Sequence, residues 1–199
     1  MAPFIVNPDN VREFKTGDAF YRWLKANHDK ADEVWIKIHK KGSGLPSITA
    51  LEAIDVILCW GWIDGIRKGL DDKSFLQRYV PRGRKSVWSK VNQQNVARLI
   101  EEGRMTKFGI AQVDAARADG RWDKAYGSTT KVPELMAAIE AEPKALATYK
   151  TLTAQNRFAL TFRVHNLKTP AGREKKIRTF VDMLKRGETI YPQKTKAAE

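Results

Sequence analysis

Apolar residues recur at helical spacing at the start of the chain and then alternate. Phe20 and Leu24 follow a capping residue at Thr16, which predicts a first helix that ends near residue 28. Residues 33–40 then alternate between apolar and polar side chains, which predicts a strand with one apolar and one polar-aromatic face. The apolar face is formed by Val34, Ile36 and Ile38.

The next segment combines a helix start signal with a hairpin pattern. Thr49 and Glu52 have the Thr-x-x-Glu spacing of a capping box, so a second helix is expected there. Its apolar residues Ile54, Ile57 and Leu58 are expected to pack on the apolar face of the strand. Residues 62–70 and 75–80 have the pattern of a hairpin, and Pro81 is expected to end the pairing because it has no N–H to donate.

Two more helices are expected before residue 120. Ser86 or Ser89 is expected to cap the first, and residues 106–118 form the second. The apolar stripe of the first is expected to be Val96, Leu99 and Ile100. The elements together predict an α+β N-terminal domain over residues 1–127, in which helices pack on a small mixed or antiparallel sheet.

The chain changes character at residues 127–130, a small polar run that predicts a domain boundary. Beyond it, prolines and threonines occur where helices are expected to begin: Pro133, Pro143, Thr153 and Thr169. An all-helical C-terminal module of about four short helices is therefore expected over residues 128–192. Residues 193–199 are expected to form a loose tail.

The composition adds a strong positive charge to this picture. The net charge is +13, which favours an anionic small molecule or protein partner, with nucleic acid less favoured. The single cysteine, Cys59, allows no intrachain disulfide and fits a reducing compartment. The start of the chain lacks a signal-peptide pattern, and no stretch is as long and apolar as a membrane span. We therefore expect a cytoplasmic protein without a membrane span.

Residues 58–92 concentrate the side chains from which a binding site could be built. Half of the six tryptophans lie here, and residues 73–98 contain seven basic residues and no acidic one. Aromatic faces beside guanidinium groups suit a flat or anionic ligand. The candidate ligand-binding residues are Trp62, Asp64, Arg78, Arg82, Ser86, Trp88, Ser89 and Asn92.

Each candidate also has a structural explanation. Asp64 is either a general base or a carboxylate that pairs with an arginine across the hairpin. Ser86 and Ser89 either help to bind an anion at a helix N-terminus or only cap that helix. Trp88 is either a stacking platform or a staple onto the sheet. The sequence contains no phosphate loop, nucleophile elbow or zinc-protease motif, so it assigns no catalytic residue, cofactor or metal.

Several runs resemble a known bacterial family. They are CWGWIDG, PRGRKSVWSKVNQQNVARLIEEGRMTKFG and ARADGRWDKAY in the first part, and NRFAL and MLKRGETIYP between Val132 and Pro192. The chain resembles the YdeI/OmpD-associated proteins, also called the bacteriocin-protection family, over nearly its whole length. The resemblance implies a helical C-terminal module and a link to envelope stress and tolerance of cationic antimicrobial peptides. It implies no catalytic residue.

The chain departs from the family's pattern before the last helix. Members usually have a run like Ala-Lys-x-x-Glu-Thr-Arg, whereas residues 166–173 here are NLKTPAGR. The resemblance therefore assigns no role to Thr169 or Arg173. A net charge of +13 also disfavours direct capture of a cationic peptide, so any protective effect is expected to be indirect.

The sequence thus favours a non-enzymatic, stress-associated protein that binds an anionic small ligand or partner. One alternative is a nucleic-acid-binding protein that uses the basic stretch 73–98. Another is an uncharacterised enzyme that uses Asp64 with Arg78 or Arg82.

The nucleic-acid alternative makes a prediction about salt. Phosphate contacts release counterions, so affinity through residues 73–98 would fall about a thousandfold or more between 50 and 200 mM salt. The sequence lacks aromatic and basic residues interleaved across several strands. We therefore expect fluorescence anisotropy to detect no binding of DNA or RNA even at low salt. Binding with that steep salt dependence would support the alternative.

Overall fold

A computed structural model describes residues 5–193 of the chain. The chain divides into two compact units, Met1–Ala125 and Tyr126–Glu199. That each unit is a domain able to fold alone, with the division near residue 127, stays a prediction.

The described part of the first unit contains a four-stranded sheet and four helices. The strands are β1 (Val11–Arg12), β2 (Val34–His39), β3 (Trp62–Gly69) and β4 (Ser74–Pro81), and the helices are α1 (Gly17–Asn27), α2 (Ala50–Cys59), α3 (Lys90–Glu101) and α4 (Lys107–Ala118). The strand order is β1-β2-β4-β3, in which β1 is parallel to β2 and the other pairs are antiparallel. A mixed sheet with helices confirms the predicted α+β class.

Side-chain caps begin all four helices of this unit. The capping residues are Thr16, Thr49, Ser89 and Thr106. At α2 the carboxylate of Glu52 also accepts a hydrogen bond from the Thr49 backbone N–H at 2.8 Å, which completes the predicted capping box. Ser89 caps α3, whereas the Ser86 Oγ accepts a hydrogen bond from the Gly83 N–H at 3.0 Å.

Apolar residues of β2 and α2 meet in one core. Val34, Ile36 and Ile38 are buried in the same cluster as Ile57 and Leu58, as their patterns predict. The third expected helix residue, Ile54, lies at the margin of this cluster and is only half-buried. Each of these two elements is apolar on one side only, and the common core buries both apolar sides.

Two side chains depart from the burial that periodicity predicts. Ile100 of α3 is 45% exposed, so its assignment to the buried stripe is wrong. It follows Leu99 by one position, which is about 100° around the helix axis and away from the core. Trp35 lies on the polar-aromatic face of β2 but is fully buried, and its indole N–H donates to Glu33 at 3.2 Å.

The described part of the second unit is all-helical, as predicted. Its helices are α5 (Pro133–Glu140), α6 (Pro143–Thr151), α7 (Ala154–His165) and α8 (Pro170–Lys185). Thr153 and Thr169 cap α7 and α8, and prolines occupy the first helical position of α5 and α6. The predicted stripe of α8 is buried: Ile177, Phe180, Val181 and Leu184.

A buried asparagine holds the segment after α8 against the start of α7. Asn156 is 1% exposed, and its Nδ2 donates to the Tyr191 carbonyl at 3.1 Å and to the Gln193 Oε1 at 2.8 Å. Its Oδ1 accepts a hydrogen bond from the Tyr191 N–H at 2.9 Å. Gln193, the first residue of the expected loose tail, is thus hydrogen-bonded through its side chain. That residues 193–199 form a loose tail stays a prediction, and residues 194–199 lie outside the described residues.

Asn156→Ala should destabilise the second unit by about 2–3 kcal/mol, because it leaves buried polar groups without partners. All six tryptophans lie in residues 1–125, so their fluorescence reports the first unit, while far-UV circular dichroism reports both. In urea we expect an earlier loss of helical signal and an unchanged tryptophan transition.

Asn166→Ala is the matched control. The side chain of Asn166 makes one local hydrogen bond, from its Nδ2 to the Phe162 carbonyl at 2.9 Å, so its replacement should cost less than about 1 kcal/mol. Equal losses of stability in the two variants would contradict a special role for Asn156. A shifted tryptophan transition in Asn156→Ala would contradict independent folding of the two units.

Candidate functional site

An arginine stacked on a tryptophan closes the loop between β4 and α3. The Cζ of Arg82 lies 3.7 Å from the centroid of the Trp88 ring, and its Nη1 donates to the Val87 carbonyl at 3.2 Å. Trp88 packs in turn on Trp122, with ring centroids 4.9 Å apart. Arg82 is 6% exposed and Trp88 is 2% exposed. A guanidinium this deeply buried against an aromatic face rigidifies the loop.

The other candidates in this loop make local hydrogen bonds. The Ser89 Oγ accepts from the Asn92 backbone N–H at 3.1 Å, as an N-cap does. The Ser86 carbonyl accepts a hydrogen bond from the Arg121 Nη1 at 2.9 Å. The structure thus brings Arg82, Ser86, Trp88, Ser89 and Asn92 together in one loop and helix start. Their contacts serve the loop itself, and their role in binding a ligand stays a prediction.

The three candidates on the hairpin have separate partners. Trp62 is buried in the core, and its indole N–H donates to the His28 carbonyl at 3.3 Å. Arg78 forms an ion pair with Glu33, with 2.6 Å between Nε and Oε2. Asp64 is exposed on β3. The contacts of Trp62 and Arg78 serve the core and the sheet, and a role of these three residues in binding a ligand stays a prediction.

Local electrostatics make Glu33 a stable partner for Arg78. Burial alone would raise the pKa of Glu33, but hydrogen bonds from Asn10, Arg78 and Trp35 favour the carboxylate and hold the pKa below its ordinary value. In the core, burial outweighs the opposing charge of Arg104 and raises the pKa of the Cys59 thiol to about 11. Cys59 therefore stays protonated at neutral pH and is a poor nucleophile.

A groove lies beneath the loop that joins β2 to α2. We call it the loop groove; its volume is about 750 Å³, and residues 38–50 and Phe75 line it. A smaller recess of about 330 Å³ shares two of its lining residues, His39 and Leu45. The rest of that recess is lined by Lys37, Asp71, Asp72 and Lys73. A volume of this size is in the range of sites for small ligands.

Hydrogen bonds at both ends of the loop hold it in place over the groove. At one end the Nζ of Lys40 donates to the carbonyls of Asp71 and Asp72 at the hairpin tip, at 3.0 and 3.1 Å. At the other end the backbone N–H of Ile48 donates to the Phe14 carbonyl at 2.9 Å. The groove is therefore built from two sequence-distant anchors.

The rim of the loop groove is positively charged. Lys40 and Lys41 line it, and no salt bridge of residues 5–193 involves Lys41. The nearby carboxylate of Asp71 is engaged by the Ser74 Oγ and the Lys73 backbone N–H, and these hydrogen bonds hold its pKa below the ordinary value. Lys41 thus carries a charge that the described protein leaves available to a ligand.

The sequence pattern did not reveal this groove. Residues 40–46 have the composition of an ordinary connecting loop, rich in glycine, serine and proline. The available signal is the pair Lys40 and Lys41 directly before a glycine-rich run. The anchor at the hairpin tip, which opens the groove, has no local signature in the sequence.

Residues 5–193 contain neither a candidate metal site nor a candidate membrane-spanning helix. No group of three or more His, Cys, Asp or Glu side chains in that range is placed to hold a metal ion. No helix in the same range is both long and apolar enough to cross a membrane.

The fold and the loop groove define a basic α+β protein with a helical C-terminal module and an open, cationic groove. Residues 12–112, just over half of the chain, match the model of the family described as Domain of unknown function (DUF8412), so the chain belongs to that family. Residues 129–187 match the model described as Bacteriocin-protection, YdeI or OmpD-Associated, which confirms that resemblance for the helical module. The CWGWIDG run lies in the first match. No curated protein and no solved structure matches the chain.

Arg82→Ala should lower the free energy of unfolding by about 1–3 kcal/mol, because it removes a buried hydrogen bond and the stack on Trp88. Urea denaturation followed by tryptophan fluorescence measures this. The control is Arg84→Ala, since Arg84 is an exposed basic residue of the same loop and its loss should change stability by less than about 0.5 kcal/mol. Unchanged stability in Arg82→Ala would instead favour a binding role.

Proposed function

We propose that this chain is a cytoplasmic, non-enzymatic, stress-associated protein that binds an anionic small ligand in the loop groove. The match of residues 129–187 to the bacteriocin-protection family supports the link to stress. The proposal that the ligand is an anion rests on the cationic rim of the groove. Its main residue is Lys41, which forms no salt bridge with a described carboxylate.

The charges around the groove favour an anion. Lys40 holds the hairpin tip through two backbone carbonyls, which uses two of its three N–H donors and leaves its positive charge in place. Glu13 lies nearby but forms an ion pair with Lys37, with 3.0 Å between Oε1 and Nζ. A net charge of +13 adds a long-range field that raises the rate at which anions arrive.

The groove supports ligand binding better than the stretch from Trp62 to Asn92 does. In that stretch Arg82 is buried under its own stack, whereas Lys41 is exposed on the rim of an open recess. The enzyme alternative gains no support, because Arg78 is paired with Glu33 and not with Asp64. The nucleic-acid alternative also loses support, because Arg82 is buried and Arg78 is paired with Glu33, and both belong to its basic stretch.

Protection from a cationic peptide would then act through the bound anion. Direct capture of such a peptide is opposed by the charge of +13. A small anion carried by the protein is compatible with that charge, and it is the step that can be tested in isolation.

Lys41→Glu should weaken anion binding at least tenfold, because a charge-assisted contact contributes about 1.5–3 kcal/mol and the new carboxylate repels the ligand. Thermal melting with phosphate, citrate, hexose phosphates and short carboxylates identifies an anion that stabilises the wild type. Titration calorimetry with that anion then compares the variants.

Lys25→Glu is the matched control, because Lys25 is exposed on α1, outside the groove, and the change in net charge is identical. It should keep most of the affinity. Equal losses in the two variants would show that only the overall charge matters, and the failure of every anion to stabilise the wild type would contradict the proposed function.

A further inference from the structure

The serine hydroxyl groups that line the loop groove make hydrogen bonds within the loop. The Ser47 Oγ accepts a hydrogen bond from the His39 N–H at 3.1 Å and donates to the Ile48 carbonyl at 2.9 Å. The Ser43 Oγ accepts from the Leu45 N–H at 3.2 Å. A sugar or nucleotide needs several free donors and acceptors in its site. Of these two serines, only Ser43 keeps an O–H donor that no described hydrogen bond uses.

The Thr49 hydroxyl is engaged in the same way. It accepts from the Glu52 N–H at 3.2 Å and donates to the Glu52 carboxylate at 2.8 Å in the capping box. Polar recognition by side chains therefore depends mainly on the lysines of the rim and on His39, which lines the groove and whose buried Nδ1 has no hydrogen-bond partner among the described residues.

The rest of the lining is largely apolar. Its apolar members are Ile38, Leu45, Pro46, Ile48, Ala50 and Phe75. Ile38 and Ile48 are buried core residues, whereas Leu45 is 51% exposed and also lines the smaller recess. A single exposed leucine is ordinary on a protein surface. Here it stands over an apolar floor and beside a cationic rim, so a ligand could cover it.

We infer that the ligand of the loop groove is a single-chain amphiphilic anion, with a carboxylate or phosphate head and an unbranched apolar chain. The inference rests on the proposed function, because it concerns the same groove and the same lysine. Lys41 binds the head, and the chain lies against Leu45 and Phe75. Carboxylate and phosphate heads share the charge that Lys41 recognises, and their comparison decides between them.

Chain length is the property that tests this inference. A fully buried methylene group contributes about 0.8 kcal/mol, which is about fourfold in affinity. The groove is open on one side, so we expect about a twofold gain for each added methylene, which is about half of full burial. A ligand held by its charge alone would show no such gain.

The experiment measures the binding of butyrate, hexanoate, octanoate and decanoate to the full chain by titration calorimetry, below their micelle concentrations. Affinity should rise about twofold per methylene. Octyl phosphate and octanoate should both bind, which identifies the preferred head, while octanol should bind at least tenfold more weakly because it has no charge. Lys41→Glu should weaken the whole series by a similar factor.

Leu45→Ser tests the wall of the groove. Because Leu45 is half exposed, the substitution should leave the fold intact. It should reduce the gain per methylene clearly below that of the wild type, because one of the two side chains against which the apolar chain lies is lost. Leu51→Ser is the matched control, because Leu51 is 76% exposed and lies outside the groove lining. This control should bind the series as the wild type does, and equal effects of the two substitutions would overturn the inference.

The remaining outcomes separate the inference from the proposed function. Anions that bind through Lys41 with no dependence on chain length would leave the proposed function standing and overturn the inference. No binding of any anion would overturn both. Co-sedimentation with phosphatidylglycerol vesicles, without binding of monomeric octanoate, would show that the groove recognises a lipid surface and would also overturn the inference.

Discussion

The close crossing of α2 and α4 is the constraint on which the first unit depends. The Cys59 carbonyl at the end of α2 accepts hydrogen bonds from the Thr106 N–H at 3.1 Å and the Thr106 Oγ1 at 2.6 Å. A Cβ at Gly109 would lie 2.5 Å from the same carbonyl oxygen, so only glycine permits this approach. Gly61, with φ of +72°, then turns the chain into β3. β3 starts after this turn and forms a hairpin with β4. The tip of that hairpin binds Lys40, so the loop groove depends on the crossing of α2 and α4.

The dense run of tryptophan and arginine makes several contacts within the protein. Trp62 fills the core, Trp88 supports the guanidinium of Arg82, and Arg78 neutralises Glu33. Charged and aromatic groups that contact each other in this way stabilise a loop or a sheet. An ordinary lysine at the start of a glycine-rich loop is more available, because its neighbours leave its charge without a partner.

Two of the runs that carry the family resemblance lie in the second unit and are hydrogen-bonded to each other. NRFAL begins with Asn156, and MLKRGETIYP ends beside Tyr191, whose backbone N–H and carbonyl both bond to the Asn156 side chain. Gln193 extends the same network through its own side chain. A buried amide that satisfies three sequence-distant groups specifies one position for the segment after α8, since any other position would leave polar atoms buried without partners. The two runs are therefore parts of one structural feature.

Local sequence by itself determined the elements of this protein. Capping residues such as Thr49 and Thr106, prolines at helix starts and the alternation of β2 act within a few residues, so the pattern predicts helices, the hairpin and the fold class. Only the tertiary structure decided which polar and aromatic groups face each other. The partners of Arg78 and Asn156 are 45 and 35 residues away in the chain. A periodic pattern of apolar residues does not predict pairs that are this far apart. The groove at Lys41 exists because distant hydrogen bonds anchor both ends of its loop, and for that physical reason it is a property of the folded chain.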